Sequence, residues 1–508
     1  MSNWIGYQWL ARFYGIDPVQ PFRIDSRIAG SPSIVKTDGY IHRSYPLAMR
    51  PANTLRGHLT FALKHEGVHL EFLARLYAIL PSIELENWLN DEPTGQYVRR
   101  AAFFYEWLTQ SRLDFPDVKQ GNYVDALDDE MYLTAITPQN NVRWRIRDNL
   151  PGTCDYCPMV FRTDEVKAAE RYHFTDRLNA LELEFGADLL LRSAVWLTIK
   201  ESRASFAIEH EEKQVDRIQR FAAVMERRCG QYENPFDEKA LAELQQDILG
   251  AHATRYGFRK SPIFVGETND WLQVVHYIAP AWNDVSAMLA GLSAVEQRTR
   301  GQAPLVRAAV LSFGFVYIHP LSDANGRVSR FLVNDILRRD GAVPAPFILP
   351  ISATIANTAV KRHGYDQVLE IVSKPFMQYY QAQYQFGTEK IAEDDVRYNF
   401  LFDAYQDANF VWRYLDLTDH VQYLAHIVDL TIEHEMRKEA TYLRSLRQVR
   451  HQVKELLDGP DVDIDRIIRS IRDNAYAISN KLKHEFPQMN DNLLAEKIIE
   501  AIQNGFAH

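Results

Sequence analysis

A short segment near the middle of the chain combines residue types that phosphate chemistry uses. It reads His319-Pro320-Leu321-Ser322-Asp323-Ala324-Asn325-Gly326-Arg327-Val328-Ser329-Arg330. His319 can act as a neutral base near pH 7, because imidazole titrates close to that pH. Asp323 offers a hard oxygen ligand of the kind that Mg²⁺ uses when it bridges phosphates. The two side chains, four residues apart, therefore indicate proton transfer beside a metal-bound phosphate.

The backbone around this segment predicts a binding site for an anion. The apolar helix predicted over residues 308–318 ends there, because Pro320 cannot continue it cleanly. The pair Asn325-Gly326 favours a tight turn, and a new helix is predicted to begin at Arg327. The N-terminus of a helix presents free N–H groups and a partial positive charge, which attract anions.

Two arginines strengthen this interpretation. Arg327 and Arg330 are three residues apart, so they share one face of the new helix. Two cations at a helix N-terminus oppose the helix dipole unless a polyphosphate offsets them. A base, a carboxylate, an amide-rich turn and two arginines together predict phosphoryl or nucleotidyl transfer. A solvated corner between two helices is the alternative interpretation.

The segment resembles the signature of the Fic (Fido) family, H-x-F-x-(D/E)-(G/A)-N-G-R-x-x-R. All charged and turn positions agree, whereas Leu321 stands where the family usually has Phe and Ala324 where Gly is commoner. The resemblance implies a helical Fic-type core and the transfer of AMP from ATP to a hydroxyl side chain of a target protein. It also implies Mg²⁺ or Mn²⁺ as the cofactor, and it leaves the target protein unidentified.

The resemblance also implies a role for each matched position. His319 would deprotonate the attacking hydroxyl, and Asp323 would hold the metal ion against the α- and β-phosphates. Arg327 would neutralise the outer phosphates, and Arg330 would hold the γ-phosphate. The remaining phosphate-binding positions would act through backbone amides, and they are Ser322, Ala324, Asn325 and Gly326.

A second motif, upstream of the first, resembles the inhibitory sequence of the same family, (S/T)-x-x-x-E-(G/N). Ser205 and Glu209 are four residues apart and face one side of a helix predicted at about 200–215. His210 stands where Gly or Asn is usual. The resemblance implies that Glu209 pairs with Arg330 and so keeps ATP in a non-productive pose. An ordinary charged helix face is the alternative.

Residues 261–280 are interrupted by Gly and Pro and contain two short β-like runs, which predict a hairpin. By resemblance the hairpin is a flap that lays a target segment beside the active loop by strand addition. The expected flap residues are Ile263, Val265, Val275 and Tyr277. Asn357 and Tyr365 fall where family members contact the nucleoside, although a Tyr on a helix is more often a core residue.

An unrelated motif, His65-Glu66-Gly67-Val68-His69, matches H-E-x-x-H on a helix predicted over residues 54–80. That spacing would place two imidazoles on one helix face, as zinc proteases require. Gly67 weakens the helix, and no further histidine follows at the spacing that would extend the motif. A zinc metalloprotease is therefore a remote alternative function.

Composition sets the class of protein. The chain has 508 residues, 46% of them hydrophobic, and a net charge of −10, which is an ordinary globular balance and excludes wholesale disorder. The acidic charge disfavours nucleic acid as a partner. Three cysteines exclude a disulfide scaffold and suggest a reducing compartment. With no secretory signal or membrane-length apolar run, we expect a cytoplasmic protein without a membrane partner.

The periodicity of apolar residues predicts a mainly α fold: a Fic-type helical core with a short β-hairpin flap, and mostly helical N- and C-terminal regions. Residues 1–165 are expected to form an N-terminal domain of unknown role with a few strands. Residues 166–390 would form the catalytic core, with helices at 176–200, 204–228 and 237–250. Residues 391–508 would form a helical region, either winged-helix-like or an interaction module.

The function predicted from the sequence is protein adenylylation (AMPylation), autoinhibited by Glu209, with ATP and a target protein as partners. Removal of AMP from a modified protein at the same site is one alternative. A nucleotide-sensing interaction protein with little catalysis is another. Assembly into a homo-oligomer stays an open alternative.

Overall fold

The computed structural model describes residues 3–37, 39–209, 211, 213–250, 255–269, 272–357 and 359–506. The chain is mainly α-helical with a few small sheets, which confirms the predicted fold class. His210 and residues 270–271 of the predicted flap lie outside the described residues. Within the described ranges, every helix is too short or too polar to cross a lipid bilayer.

The N-terminal region combines helices with two small sheets around its own apolar core. The helices are α1 (Tyr7–Tyr14), α2 (Leu55–His65), α3 (Leu70–Ile79), α4 (Ser82–Asp91) and α5 (Gln96–Thr109). A sheet in the order β1-β2-β4-β3 consists of β1 (Trp4–Ile5), β2 (Ile24–Ile28), β3 (Ser33–Thr37) and β4 (Tyr40–Tyr45). A second sheet, in the order β5-β7-β6, consists of β5 (Val124–Asp125), β6 (Gln139–Asn141) and β7 (Ile146–Asp148).

The helix predicted over residues 54–80 is wrong, because it is two helices. Gly67 has a φ of +88° and ends the first helical segment, which places His65 and His69 on different helices. Glu66 is buried and accepts the backbone N–H of Tyr7 at 2.7 Å. His69 uses Nδ1 to accept the N–H of Phe72 as the N-cap of α3. The H-E-x-x-H spacing is therefore structural, and among the described residues no three His, Cys, Asp or Glu side chains are grouped as metal ligands.

The central region holds ten helices among the described residues. They are α6 (Asp164–Glu170), α7 (Phe174–Phe185), α8 (Ala187–Ile208), α9 (Val215–Arg228), α10 (Glu238–Leu249), α11 (Val285–Arg298), α12 (Pro304–Ile318), α13 (Asn325–Arg339), α14 (Ile351–Ala356) and α15 (Ala359–Tyr380). The predicted helices at 176–200 and 204–228 have wrong boundaries: Gly186 separates α7 from α8, and α8 continues through 200–204, which contains neither Gly nor Pro. The inhibitory helix predicted at about 200–215 ends at Ile208, and α9 begins at Val215. The predicted hairpin is present as β8 (Phe264–Asn269) and β9 (Leu272–Ile278).

The rest of the chain begins with an antiparallel hairpin of β10 (Tyr384–Ile391) and β11 (Arg397–Phe402). The helices that follow are α16 (Tyr405–Arg413), α17 (Thr418–Leu430), a π-helical segment (Thr431–Met436), α18 (Arg437–Leu456), α19 (Asp461–Asp473), α20 (Asn480–Glu485) and α21 (Asn492–Gly505). The central hydrophobic core continues past residue 390 to Met436. A separate small core lies between α18, α19, α20 and α21.

Candidate active site

The turn between α12 and α13 is held in shape by one asparagine. His319 and Ala324 adopt left-handed backbone angles, with φ of +50° and +73°, at the two ends of the turn. The Asn325 side chain closes the loop between them: Oδ1 accepts the N–H of Leu321 at 2.9 Å, and Nδ2 donates to the Leu321 carbonyl at 2.7 Å. Leu321 itself is fully buried. A leucine thus anchors this loop in the core, and α13 begins at Asn325, two residues earlier than predicted.

His319, the predicted base, has surroundings that keep its imidazole neutral. Its Nδ1–H donates to the carbonyl of Val316 at 3.2 Å, which assigns the tautomer and leaves the Nε2 lone pair available. Burial, together with the positive charge of Arg259, lowers the pKa of His319 to about 4. The imidazole is therefore neutral at pH 7, which is the state that accepts a proton.

Arg259 links the base to the roots of the β8–β9 hairpin. Its Nε donates to the carbonyl of His319 at 2.7 Å, while Nη1 and Nη2 donate to the carbonyls of Ser261 at 3.2 Å and Pro280 at 2.6 Å. The backbone N–H of Arg259 also donates to the Pro320 carbonyl at 2.9 Å. Arg259 was not predicted from the sequence, because no local pattern shows that an arginine will be buried among carbonyls of three separate segments.

Asp323 lies at the open side of the turn, with its side chain 55% exposed. Its Oδ1 accepts the N–H of Ala324 at 2.5 Å and Nη2 of Arg327 at 2.6 Å. Gln245 of α10 supports the loop, since it donates to the Asp323 carbonyl at 2.9 Å and accepts the N–H of Gly257 at 2.8 Å. One exposed carboxylate completed by substrate phosphates is a usual arrangement for Mg²⁺, so Asp323 fits the predicted metal ligand.

Arg330 is buried and held by the end of α8. Its Nε donates to Ser205 Oγ at 2.8 Å, and Nη2 donates to the Ser205 carbonyl at 3.0 Å and to Glu209 Oε1 at 2.7 Å. Burial acts to raise the pKa of Glu209, but the positive charges of Arg330 and Arg327 outweigh it and hold that pKa below its usual value. Ser205, Glu209 and Arg330 are thus brought together as the upstream motif predicts.

The Glu209 carboxylate also lies against the first turn of α13. A Cβ atom added to Gly326 would stand only 2.2 Å from Glu209 Oε1, so no residue with a side chain could occupy that position unless the carboxylate moved. Glycine at 326 therefore permits an acidic group to approach the free N–H groups at the helix start. The carboxylate of Glu209 thus lies beside the helix start where the sequence predicts an anion.

Arg327 is held in the same way by a second carboxylate. Its Nη1 donates to Glu211 Oε2 at 2.7 Å, and its guanidinium lies 5.0 Å from the centre of the Phe206 ring. Arg217 adds a longer contact to Glu211 Oε2, at 3.6 Å. Glu211 was not predicted from the sequence, where no motif marks it and it reads as part of an ordinary charged face.

The predicted flap residues fall on two sides of the hairpin. Ile263 lies just before β8 and is partly exposed, and the Val265 side chain is exposed on the strand. Val275 and Tyr277 are buried in the central core, where the Tyr277 hydroxyl donates to the carbonyl of Tyr317 at 2.6 Å. The inward residues of β9 therefore fix the hairpin to α12, and the outward ones of β8 are accessible.

The two predicted nucleoside contacts have different surroundings. Tyr365 is buried beside Arg330, and that burial raises the pKa of its hydroxyl. Asn357 instead donates through Nδ2 to Glu435 Oε1 at 2.5 Å. Ser322 is partly exposed in the loop between His319 and α13. Tyr365 therefore lies at the arginine end of the site, whereas Asn357 is engaged by the π-helical segment.

Comparison with known proteins settles the family of the region that contains this turn. Residues 235–337 match the Fic/DOC family model, and the match includes the β8–β9 hairpin, His319 and both arginines. This chain carries a Fic/DOC domain. Ser205 and Glu209 precede the matched residues, so the contact between Glu209 and Arg330 joins the Fic domain to the helix before it.

Named relatives match a limited part of the chain. The protein adenylyltransferase Fic of Culex quinquefasciatus is 29% identical over 150 residues, which are 28% of this chain and 26% of that protein. The protein adenylyltransferase fic-1 of Caenorhabditis briggsae is 39% identical over 56 residues, 11% of each chain. The chain thus matches about a quarter, or less, of the length of these relatives.

A solved structure was also found to be similar. It is a Fic family protein from Desulfovibrio desulfuricans G20, with 17% sequence identity and a TM-score of 0.38. The alignment covers 63% of this chain and 90% of that protein.

Proposed function

We propose that this chain is a protein adenylyltransferase that transfers AMP from ATP to a hydroxyl side chain of a target protein, and that Glu209 inhibits it. The carrying observation is the contact of Glu209 with both buried Arg330 and the start of α13, close to the neutral base His319. A site that holds a carboxylate against a buried arginine and the start of a helix also suits phosphate oxygens. The names of the relatives agree with this function.

The geometry supports the following use of the side chains. Nε2 of His319 takes the proton of the target hydroxyl, while the hydroxyl oxygen attacks the α-phosphorus in line with the leaving group. A new O–P bond forms, the bond from the α-phosphorus to the bridging oxygen breaks, and pyrophosphate leaves. The amides from Ser322 to Gly326, together with Arg327, hold the phosphates in place and offset their charge. A divalent cation at Asp323 would supply further charge neutralisation when bound.

Inhibition follows from the same contacts. Arg330 cannot hold the γ-phosphate while Glu209 occupies its Nη2, and a carboxylate beside the triphosphate adds repulsion of like charges. ATP would then bind with its outer phosphates displaced, so the α-phosphorus would not line up with the hydroxyl. Catalysis therefore requires the carboxylate of Glu209 to leave Arg330.

Labelled ATP tests the proposal directly. We expect protein-bound label from α-labelled ATP and none from γ-labelled ATP, with an increase in Glu209→Gly and a complete loss in His319→Ala. Glu209→Gln is the matched control, because it keeps the size of the side chain and removes the charge, and it should also raise labelling. Glu226→Gln, at an exposed position of α9, should change nothing.

Other outcomes of this experiment would replace the proposal. Nucleotide binding without label from either ATP would favour the nucleotide-sensing alternative. Release of AMP from a previously modified protein would favour the reverse reaction, in which Glu209 would orient a water molecule. Unchanged labelling in Glu209→Gly and Glu209→Gln would show that Glu209 does not inhibit.

A further inference from the structure

The outward face of α8 is apolar, although α8 is the helix whose buried face carries Ser205. Leu191, Val195, Trp196 and Ile199 are 48%, 61%, 49% and 37% exposed. Their spacing of four, five and eight residues from Leu191 places them along one side of the helix. A row of four large apolar side chains, including a tryptophan, is more than scattered single exposures and marks an interaction surface.

Charges at the two ends of this face are arranged symmetrically. Asp188 lies seven residues before Val195, and Arg203 lies seven residues after Trp196. Both charged side chains are exposed on the outward side of α8. If two copies of α8 run antiparallel about an axis between Val195 and Trp196, Asp188 of one faces Arg203 of the partner subunit. The same symmetry places Val195 against Trp196 of the partner subunit.

We propose that this face of α8 binds a second copy of this chain, with the two α8 helices antiparallel about a two-fold axis between Val195 and Trp196. The interface is isologous, so each Asp188–Arg203 pair occurs twice. Aliphatic and tryptophan side chains predominate in the centre, where the exposed Arg192 pairs with Asp188 of its own chain, and Asp188 and Arg203 lie towards the ends of the face. A lipid surface or an unrelated protein would not account for the symmetric positions of the two charges.

Sedimentation of the full-length chain over a range of concentrations tests the proposal. We expect a reversible monomer–dimer equilibrium, which Val195→Glu abolishes and which Asp188→Arg or Arg203→Asp weakens at least several-fold. The double variant Asp188→Arg/Arg203→Asp should restore association, because each subunit then presents the reversed pair. All these positions are exposed, so circular dichroism and thermal unfolding should show that the variants fold.

A matched control separates the interface from contacts within one chain. Asp188 lies 3.3 Å from Arg192 and 3.7 Å from Arg447 of the same chain. Arg447→Gln removes one of these internal contacts without reversing the charge beside Asp188, and it should leave the association constant unchanged. A wild-type chain that stays monomeric at every concentration would overturn the proposal. So would a dimer that tolerates Val195→Glu, or charge reversals that the double variant does not rescue.

Discussion

Each arginine of the active-site turn is held by its own carboxylate from the segment after α8. Glu209 contacts Arg330 and Glu211 contacts Arg327, both at 2.7 Å. The two ion pairs involve different guanidinium groups, so removing one carboxylate does not free the other arginine. Glu211 is therefore a second candidate inhibitory residue, and its effect should become visible once Glu209 is gone.

Glu211→Gln in the Glu209→Gly background is expected to raise the initial rate of α-label incorporation by a factor of about 1.4 to 5. The Glu211 side chain is about one-third exposed, so its pair with Arg327 is worth about 0.2–1 kcal/mol. The rate of labelling at ATP concentrations below saturation measures the effect. Arg217→Gln is the control, because Glu211 keeps Arg327 in that variant. Equal rates in the single and double variants would show that Glu211 has no inhibitory part.

The pH dependence of catalysis should follow the surroundings of His319. As the proposed base, His319 would work only when neutral, and its pKa of about 4 keeps it neutral throughout the physiological range. Labelling by Glu209→Gly should therefore change little above pH 6 and fall only as the pH approaches 4. Glu209 itself acts to raise the pKa of His319, so its removal moves this acid limb lower still.

Arg259→Gln should move the acid limb of that profile upward. The guanidinium lowers the pKa of His319, and a neutral amide removes this effect while keeping hydrogen-bond donors. The measurement is kcat/KM between pH 4 and pH 8, with circular dichroism at each pH to monitor folding. A purely structural role for Arg259 would lower kcat/KM equally at every pH and leave the shape of the profile unchanged.

At the scale of elements, α8 is joined to α14 by one buried carboxylate. Glu201 is fully buried, and it accepts both the N–H of Ser352 at 2.7 Å and its hydroxyl at 2.5 Å. Burial raises the pKa of Glu201 to about 7. The folded chain therefore holds this proton more tightly than the unfolded chain, whose glutamates titrate near 4.5.

The free energy of unfolding should decrease with rising pH because Glu201 ionises. The contribution of Glu201 is fully present below pH 4.5 and is lost as the pH rises through about 7. Glu201→Gln, which cannot ionise, should remove this dependence, so its stability relative to wild type should be greater at pH 8 than at pH 5. Urea unfolding at the two pH values measures the difference. A relative stability that does not change between them would contradict the assignment.

Helices and strands were predictable where Gly or Pro marks their ends. Gly and Pro around residues 261–280 correctly predicted the β8–β9 hairpin, and Pro320 correctly placed the end of α12. The break inside 54–80 was missed, although Gly67 stood there, because the apolar periodicity runs through both helices. A local apolar pattern does not show whether a glycine within it lies inside one helix or separates two.

The site was predictable to the extent that it is contiguous in sequence. The turn from His319 to Arg330 could be found from residue types and spacing, as could the distant pair Ser205 and Glu209 through a resemblance. Arg259, Gln245 and Glu211 could not, because their contacts arise from tertiary packing between segments far apart in the chain. Their roles appear only when the central helices are assembled.

At the scale of the whole molecule, the N-terminal region is fixed to the connection between α16 and α17. Arg23 pairs with Asp416 and Asp419, both at 2.5 Å. Gln20 donates to the Tyr414 carbonyl at 3.0 Å. The domain boundaries predicted at residues 165 and 390 stay predictions. The central core contains residues from both sides of each boundary.

The position of Glu209 relative to α8 determines how the arginine can be released. The helix ends at Ile208, and Glu209 is its C-cap, with backbone angles of −90° and 11° outside the helical range. Arg362 donates to the carbonyl of Ile208 at 2.6 Å and so retains the last helical turn. Rotation about a few torsion angles after that turn would move the Glu209 carboxylate away from Arg330 without unfolding any of α8. We therefore expect the release of Arg330 to need only a local movement at the end of α8, on the time scale of loops rather than of refolding.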